Sequence, residues 1–120
     1  MMEVFREFTF EAAHAIPPYS NVHGHTFSVE VVMRGDPDPV YGWVESLTDL
    51  NPSVNHVQQL LDHKFLNEID GLQVPSVENV ARWIWRQLEK TDLPCLHRVV
   101  VRRGPSGRSE GCRLEAPVEA

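Results

Sequence analysis

The stretch His23-Gly24-His25-Thr26-Phe27-Ser28-Val29-Glu30-Val31-Val32-Met33-Arg34 (residues 23–34, HGHTFSVEVVMR) alternates in character residue by residue. A strand turns successive side chains to opposite faces, so His23, His25, Phe27, Val29, Val31 and Met33 share one face and Thr26, Ser28, Glu30 and Val32 the other. The segment before it, VFREFTFEAAH (4–14), obeys the same rule, placing Val4, Phe8, Phe10, Ala12 and His14 on a common apolar face. Two long strands are therefore predicted over residues 4–13 and 25–34, separated by the turn-rich stretch IPPYSNVHG. Two histidines point the same way from one strand, and a third emerges at the end of its neighbour. Three neutral imidazoles with one open position form a catalytic zinc ligand set, whereas a structural zinc is usually closed by four protein ligands. Taken alone, His-Gly-His also fits a turn with incidental histidines.

Working outward, GDPDP (35–39) closes the second strand. Asn51 followed by Pro52 reads as a helix cap and first-turn proline, after which Val54, Val57, Leu60 and Leu61 recur at helical spacing. A second helix is clearer: Ser76 caps it, Glu78 suits its positive end, and Val77, Val80, Ala81, Ile84, Trp85 and Leu88 make one buried face. Trp85 is thus a core residue. Residues 98–103 and 111–115 form a closing hairpin around GPSGRSEG. The sum is an α+β domain over residues 1–120, a four-stranded antiparallel sheet with two helices on one face. The other face carries Phe5, Thr9, Ala13, Val32 and one of Val99 and Val100, and the sheet has two open edges.

With 120 residues, 42% of them hydrophobic, the chain fits one modest core. No apolar run is long enough to span a bilayer, and the N-terminus lacks a secretory pattern, so a cytoplasmic protein with no membrane partner is expected. Two cysteines, Cys95 and Cys112, are then expected as reduced core thiols. A net charge of −6 argues against nucleic acid. Arg98, Arg102, Arg103, Arg108 and Arg113 nevertheless crowd the last quarter, either as a cationic patch for an anionic small molecule or as a solvated edge strand.

The segments FTFEAAH (8–14), HGHTFSVEV (23–31), GWV (42–44), LDHKFLN (61–67) and PSVENVARWIW (75–85), in this order and spacing, resemble the family of 6-pyruvoyltetrahydropterin and 6-carboxytetrahydropterin synthases. The resemblance implies the tunnelling fold, in which subunits join sheets edge to edge and trimers stack into hexamers. It implies zinc on His14, His23 and His25, a pterin-like heterocyclic substrate, and a proton relay at Asp62 and His63, where aspartate orients an imidazole that titrates near neutral pH.

Two positions depart from the family pattern. Tyr19 stands where the resembling enzymes carry a cysteine four residues before His-x-His and is the catalytic candidate in its place, but its ordinary pKa of about 10, against a thiol's of about 8.5, would need a strong downward shift, as from the metal. Arg103 stands where they anchor the pterin's donors with a glutamate. Arginine offers only donors, so either Glu110 supplies the acceptor from the following loop, or Arg103 marks an acceptor-rich or acidic substrate. Three functions follow: a zinc-dependent carbon–carbon or carbon–oxygen lyase, most economically converting 7,8-dihydroneopterin triphosphate as a 6-carboxytetrahydropterin synthase does; a paralogue without the thiol and with another reaction; or a non-catalytic zinc-stabilised binding protein.

Overall fold

The structure is a computed structural model and describes residues 1–119. Its centre is a long hairpin of β1 (Met2–Ile16) and β2 (Ser20–Gly35). Both strands run further than the sequence suggests, because the ladder continues through His14↔His23 to Ile16↔Ser20 and confines the turn to Pro17, Pro18 and Tyr19. Helix α1 (Asn51–Leu61) follows, then β3 (Lys64–Phe65), α2 (Val77–Glu89), β4 (Leu96–Arg103) and β5 (Glu110–Glu115). The sheet order is β3-β1-β2-β4-β5.

The sheet therefore has five strands, not four. The added β3 is two residues long and pairs parallel with β1 through Ala12↔Lys64 and Ala13↔Phe65. Its brevity hides it from any periodicity. Asn51 is the first helical residue of α1 and not its cap, which falls on Leu50 with no side-chain hydrogen bond. Ser76 caps α2 as expected, accepting from the Asn79 N–H at 3.2 Å.

The alternating face of the hairpin forms the core. Phe10, Phe27, Val29, Val31 and Met33 are buried with Val54, Val57 and Leu61 of α1 and Val80, Ala81, Ile84, Trp85 and Leu88 of α2. Trp83 joins them, donating its indole N–H to the Asp70 carbonyl at 3.1 Å. Register with Val31 and Glu30 settles the third-strand alternative: Val99 faces the core and Val100 the outer face. No helix among the described residues is long and apolar enough to cross a membrane.

Candidate functional site

Strand register builds the histidine cluster. His14 lies directly opposite His23, and His25 lies opposite Ala12 on the same face, so all three rings converge where the hairpin leaves the core. Their ligand atoms lie within 4.8 Å of one another. The floor is aromatic: Phe10 and Phe27 stack at 4.8 Å, and His14 and His25 meet the Phe27 ring edge-on, each at 5.6 Å.

Hydrogen bonds fix the tautomers. Nδ1 of His14 lies 2.9 Å from the Pro75 carbonyl, and Nδ1 of His23 lies 2.7 Å from the Asn21 carbonyl. A carbonyl only accepts, so both Nδ1 atoms carry the proton and both Nε2 atoms present lone pairs. Those two Nε2 atoms face each other at 3.1 Å. Lone pairs repel at that range unless a cation lies between them. Nε2 of His25 is buried with no hydrogen-bond partner among the described residues. Tetrahedral ligand nitrogens about 2.0–2.1 Å from an ion sit about 3.3 Å apart, so this donor set fits a metal. Burial pushes the His14 and His25 imidazoles below their ordinary pKa, the neutral form a ligand requires, and the charge of Arg103 adds to the effect. The Pro75 carbonyl opposes it at His14. Asn67 locks the next residue, accepting from Ala15 N–H at 2.9 Å and donating to its carbonyl at 2.8 Å.

Asp62 and His63 follow the last turn of α1. Asp62 is its C-cap, and His63 takes a left-handed backbone with φ of 60°. The carboxylate bridges two partners: Oδ1 accepts from the Glu11 N–H at 2.8 Å, and Oδ2 lies 3.0 Å from Nδ1 of His63. The bond from Glu11 holds the Asp62 carboxyl below its ordinary pKa, helped by His63. The His63 N–H donates to the Glu11 carbonyl at 2.6 Å, so β1 grips both residues. An open cleft of about 680 Å³ lies beside them, lined by Glu11, Ala12, Gly24, His25, His63 and Lys64 among others. His25 and His63 thus border one space.

The remaining sequence candidates fall elsewhere. Tyr19 is at the hairpin turn, 89% exposed, and makes no side-chain hydrogen bond among the described residues. Arg103 and Glu110 face each other across β4 and β5, with Nε and Nη2 at 3.0 and 2.9 Å from one Glu110 oxygen. Glu110 therefore holds Arg103. Cys112 donates to the Val77 carbonyl at 3.4 Å, and burial raises its pKa, as expected of a core thiol. Cys95 is half-buried.

Sequence reasoning missed Glu11, whose backbone positions Asp62 and His63 while its carboxylate accepts from Thr26 at 2.8 and 2.9 Å. It also missed Asn67, Lys64 and the Pro75 carbonyl. Asn67 and Lys64 belong to LDHKFLN and Pro75 opens PSVENVARWIW, so the segments were visible while the roles were not.

The sequence pattern of the 6-pyruvoyl tetrahydropterin synthase family matches residues 3–110. A 6-carboxy-5,6,7,8-tetrahydropterin synthase from Synechocystis is 34% identical over 110 residues, covering 84% of this chain and 85% of that protein. A dihydroneopterin monophosphate aldolase from Pyrococcus furiosus is 40% identical over 84 residues, 68% and 70% of the two chains. The solved 6-pyruvoyl tetrahydropterin synthase of Caenorhabditis elegans shares the fold, with a TM-score of 0.83 at 24% identity over 96% of this chain and 95% of that one. A match across nine-tenths of the sequence, on the fold that brings the histidines together, makes this chain a member of the 6-pyruvoyl tetrahydropterin synthase family.

Proposed function

We propose that this chain is a zinc-dependent lyase acting on the hydroxylated side chain of a dihydropterin, most economically converting 7,8-dihydroneopterin triphosphate as a 6-carboxytetrahydropterin synthase does. The observation that carries the reading is the shared cleft, bordered by a metal ligand, His25, and a carboxylate-held imidazole, His63. His14, His23 and His25 would hold the ion. When bound, zinc polarises a substrate oxygen and makes neighbouring carbon acids easier to deprotonate. His63 moves the proton: Asp62 holds its Nδ1–H, which leaves Nε2 to accept and return one at the cleft. Asp62 is in turn oriented by the Glu11 N–H.

A second reading is carbon–carbon cleavage of aldolase type, favoured by the placement of the thiols. Cys112 is engaged with Val77 of α2, and Tyr19 takes the position of the family cysteine. Aldol cleavage needs a proton removed from a hydroxyl and one delivered to carbon, a task for His63 that requires no sulfur. The Pyrococcus relative's activity is consistent with it. A cytoplasmic homo-oligomer of trimers or hexamers completes the proposal.

Zinc-loaded protein incubated with dihydroneopterin triphosphate, the monophosphate and unphosphorylated dihydroneopterin, with products resolved, tests both readings. A 6-carboxytetrahydropterin supports the first reading, and a 6-hydroxymethyl dihydropterin released with glycolaldehyde or its phosphate supports the second. No change in any of the three substrates would refute the lyase assignment.

A further inference from the structure

The guanidinium of Arg103 sits beside a cluster of metal-ligating histidines, and that placement is not neutral. Arg103 pairs in register with Phe27, so it follows the core-facing row of β4 and emerges next to His25. A fixed positive charge there opposes a second one at the histidines. Glu110 offsets it, but weakly: the carboxylate is 71% exposed and meets both guanidinium nitrogens through a single oxygen. Arg103 itself is mostly covered, so the solvent-exposed carboxylate is the partner that another anion can displace.

A hollow lies beside the turn that Arg103 leads into. It has a volume of about 480 Å³ and lies between Gly24, His25 and Thr26 of β2 and Gly104, Pro105 and Ser106 of the β4–β5 connection. Among the described residues, no carboxylate lines it. Gly104 has φ of 93°, a conformation that favours glycine, and its N–H reaches the Thr26 carbonyl at 3.4 Å, which folds the connection against β2. Arg103 immediately precedes this turn. Ser106 brings a hydroxyl, and Arg103 brings a planar fork that matches the paired oxygens of a phosphate better than the one oxygen it now shares.

We propose that Arg103 selects a substrate carrying a phosphate, taking that oxyanion beside the metal ligands, with Glu110 as the resting counter-ion that the phosphate displaces. The ligand's identity rests on the pterin reading above, while the oxyanion site rests on this geometry alone. A phosphorylated ligand brings the charge that Glu110 supplies in its absence. A donor-rich ring edge finds no acceptor at Arg103.

Calorimetric titration of zinc-loaded protein with dihydroneopterin, its monophosphate and its triphosphate tests the assignment, with inorganic pyrophosphate as a probe that does not depend on the pterin. The wild type should bind the phosphorylated pterins at least about ten-fold more tightly than dihydroneopterin, a preference that falls as salt rises. Arg103→Gln should abolish the preference and leave dihydroneopterin binding within about two-fold, while Glu110→Gln should tighten phosphate binding by about three-fold. Circular dichroism and zinc content establish that each variant is folded and loaded. A phosphate preference that survives Arg103→Gln would overturn the proposal. Should no pterin bind the wild type, the pterin reading fails, and pyrophosphate decides the rest: Arg103-dependent binding upholds the oxyanion site, and absent or Arg103-independent binding refutes it.

Discussion

His63 occupies the left-handed region at φ of 60°, where a side chain costs about 1–2 kcal/mol that glycine does not incur. The site holds it there by the Glu11 carbonyl and the Asp62 carboxylate. Removing the imidazole separates the two consequences. His63→Ala and His63→Gly should each lower turnover by roughly 10² or more, the usual contribution of a general acid or base. In denaturant titrations, however, His63→Gly should be about 1 kcal/mol more stable than His63→Ala, and equal stabilities would show that the backbone is unstrained. Asp62 supplies a pH signature. Its native pKa is depressed, so its ionised form stabilises the fold above the ordinary aspartate value of about 3.9, and that stabilisation is lost as pH falls through the native value. The melting-temperature difference between wild type and Asp62→Asn should therefore be largest at neutral pH and shrink below about pH 4. A gap independent of pH would sink this account.

At the scale of elements, one hairpin carries all three histidines of the candidate metal centre. His14 and His23 face each other in register and His25 follows two residues on, so substituting β2 alone should empty the site. Elemental analysis should give about one zinc per chain for the wild type and near none for folded His23→Ala/His25→Ala protein; unchanged stoichiometry in the double variant would place the metal elsewhere. This part was legible in the sequence because period-two alternation in long strands fixes which side chains share a face, and the same logic at 3.6 residues per turn gave the buried face of α2. The pairing of Asp62 with His63 was singled out by resemblance rather than by periodicity. Its geometry depends on β3, where Lys64 and Phe65 carry no periodic signal and pair with β1 for tertiary reasons. The Arg103–Glu110 pair was hidden for a similar cause, since a partner seven residues away is settled by the hairpin register.

The whole molecule is long for its mass, 52 × 31 × 23 Å, with a radius of gyration of 14.9 Å against about 13.6 Å for a compact chain of this size. Fifteen residues of strand at about 3.3 Å each account for the long axis. Most of the outer edge of β1 carries no strand, because β3 pairs only with Ala12 and Ala13, and β5 forms the other edge. Open edges invite strand addition from another copy. Light scattering at micromolar concentration should accordingly report a homo-oligomer, a hexamer by the family's pattern, and a monomeric mass would remove the basis for shared edges. The arrangement also sets an order of maturation. The three ligands lie within twelve consecutive residues of one hairpin, whereas the Asp62 carboxylate reaches Glu11 across 51 positions and His14 reaches Pro75 across 61. Short loops close at lower entropic cost and sooner than long ones. In stopped-flow refolding, a zinc-sensitive dye should therefore register ion uptake before the tryptophans of α2 are buried, and the opposite sequence would refute the scheme. If the proposed function holds, the same order on the ribosome would let the growing chain collect an ion at its histidines while Asp62 and His63 are still unsynthesised, so that it would be loaded before it could react.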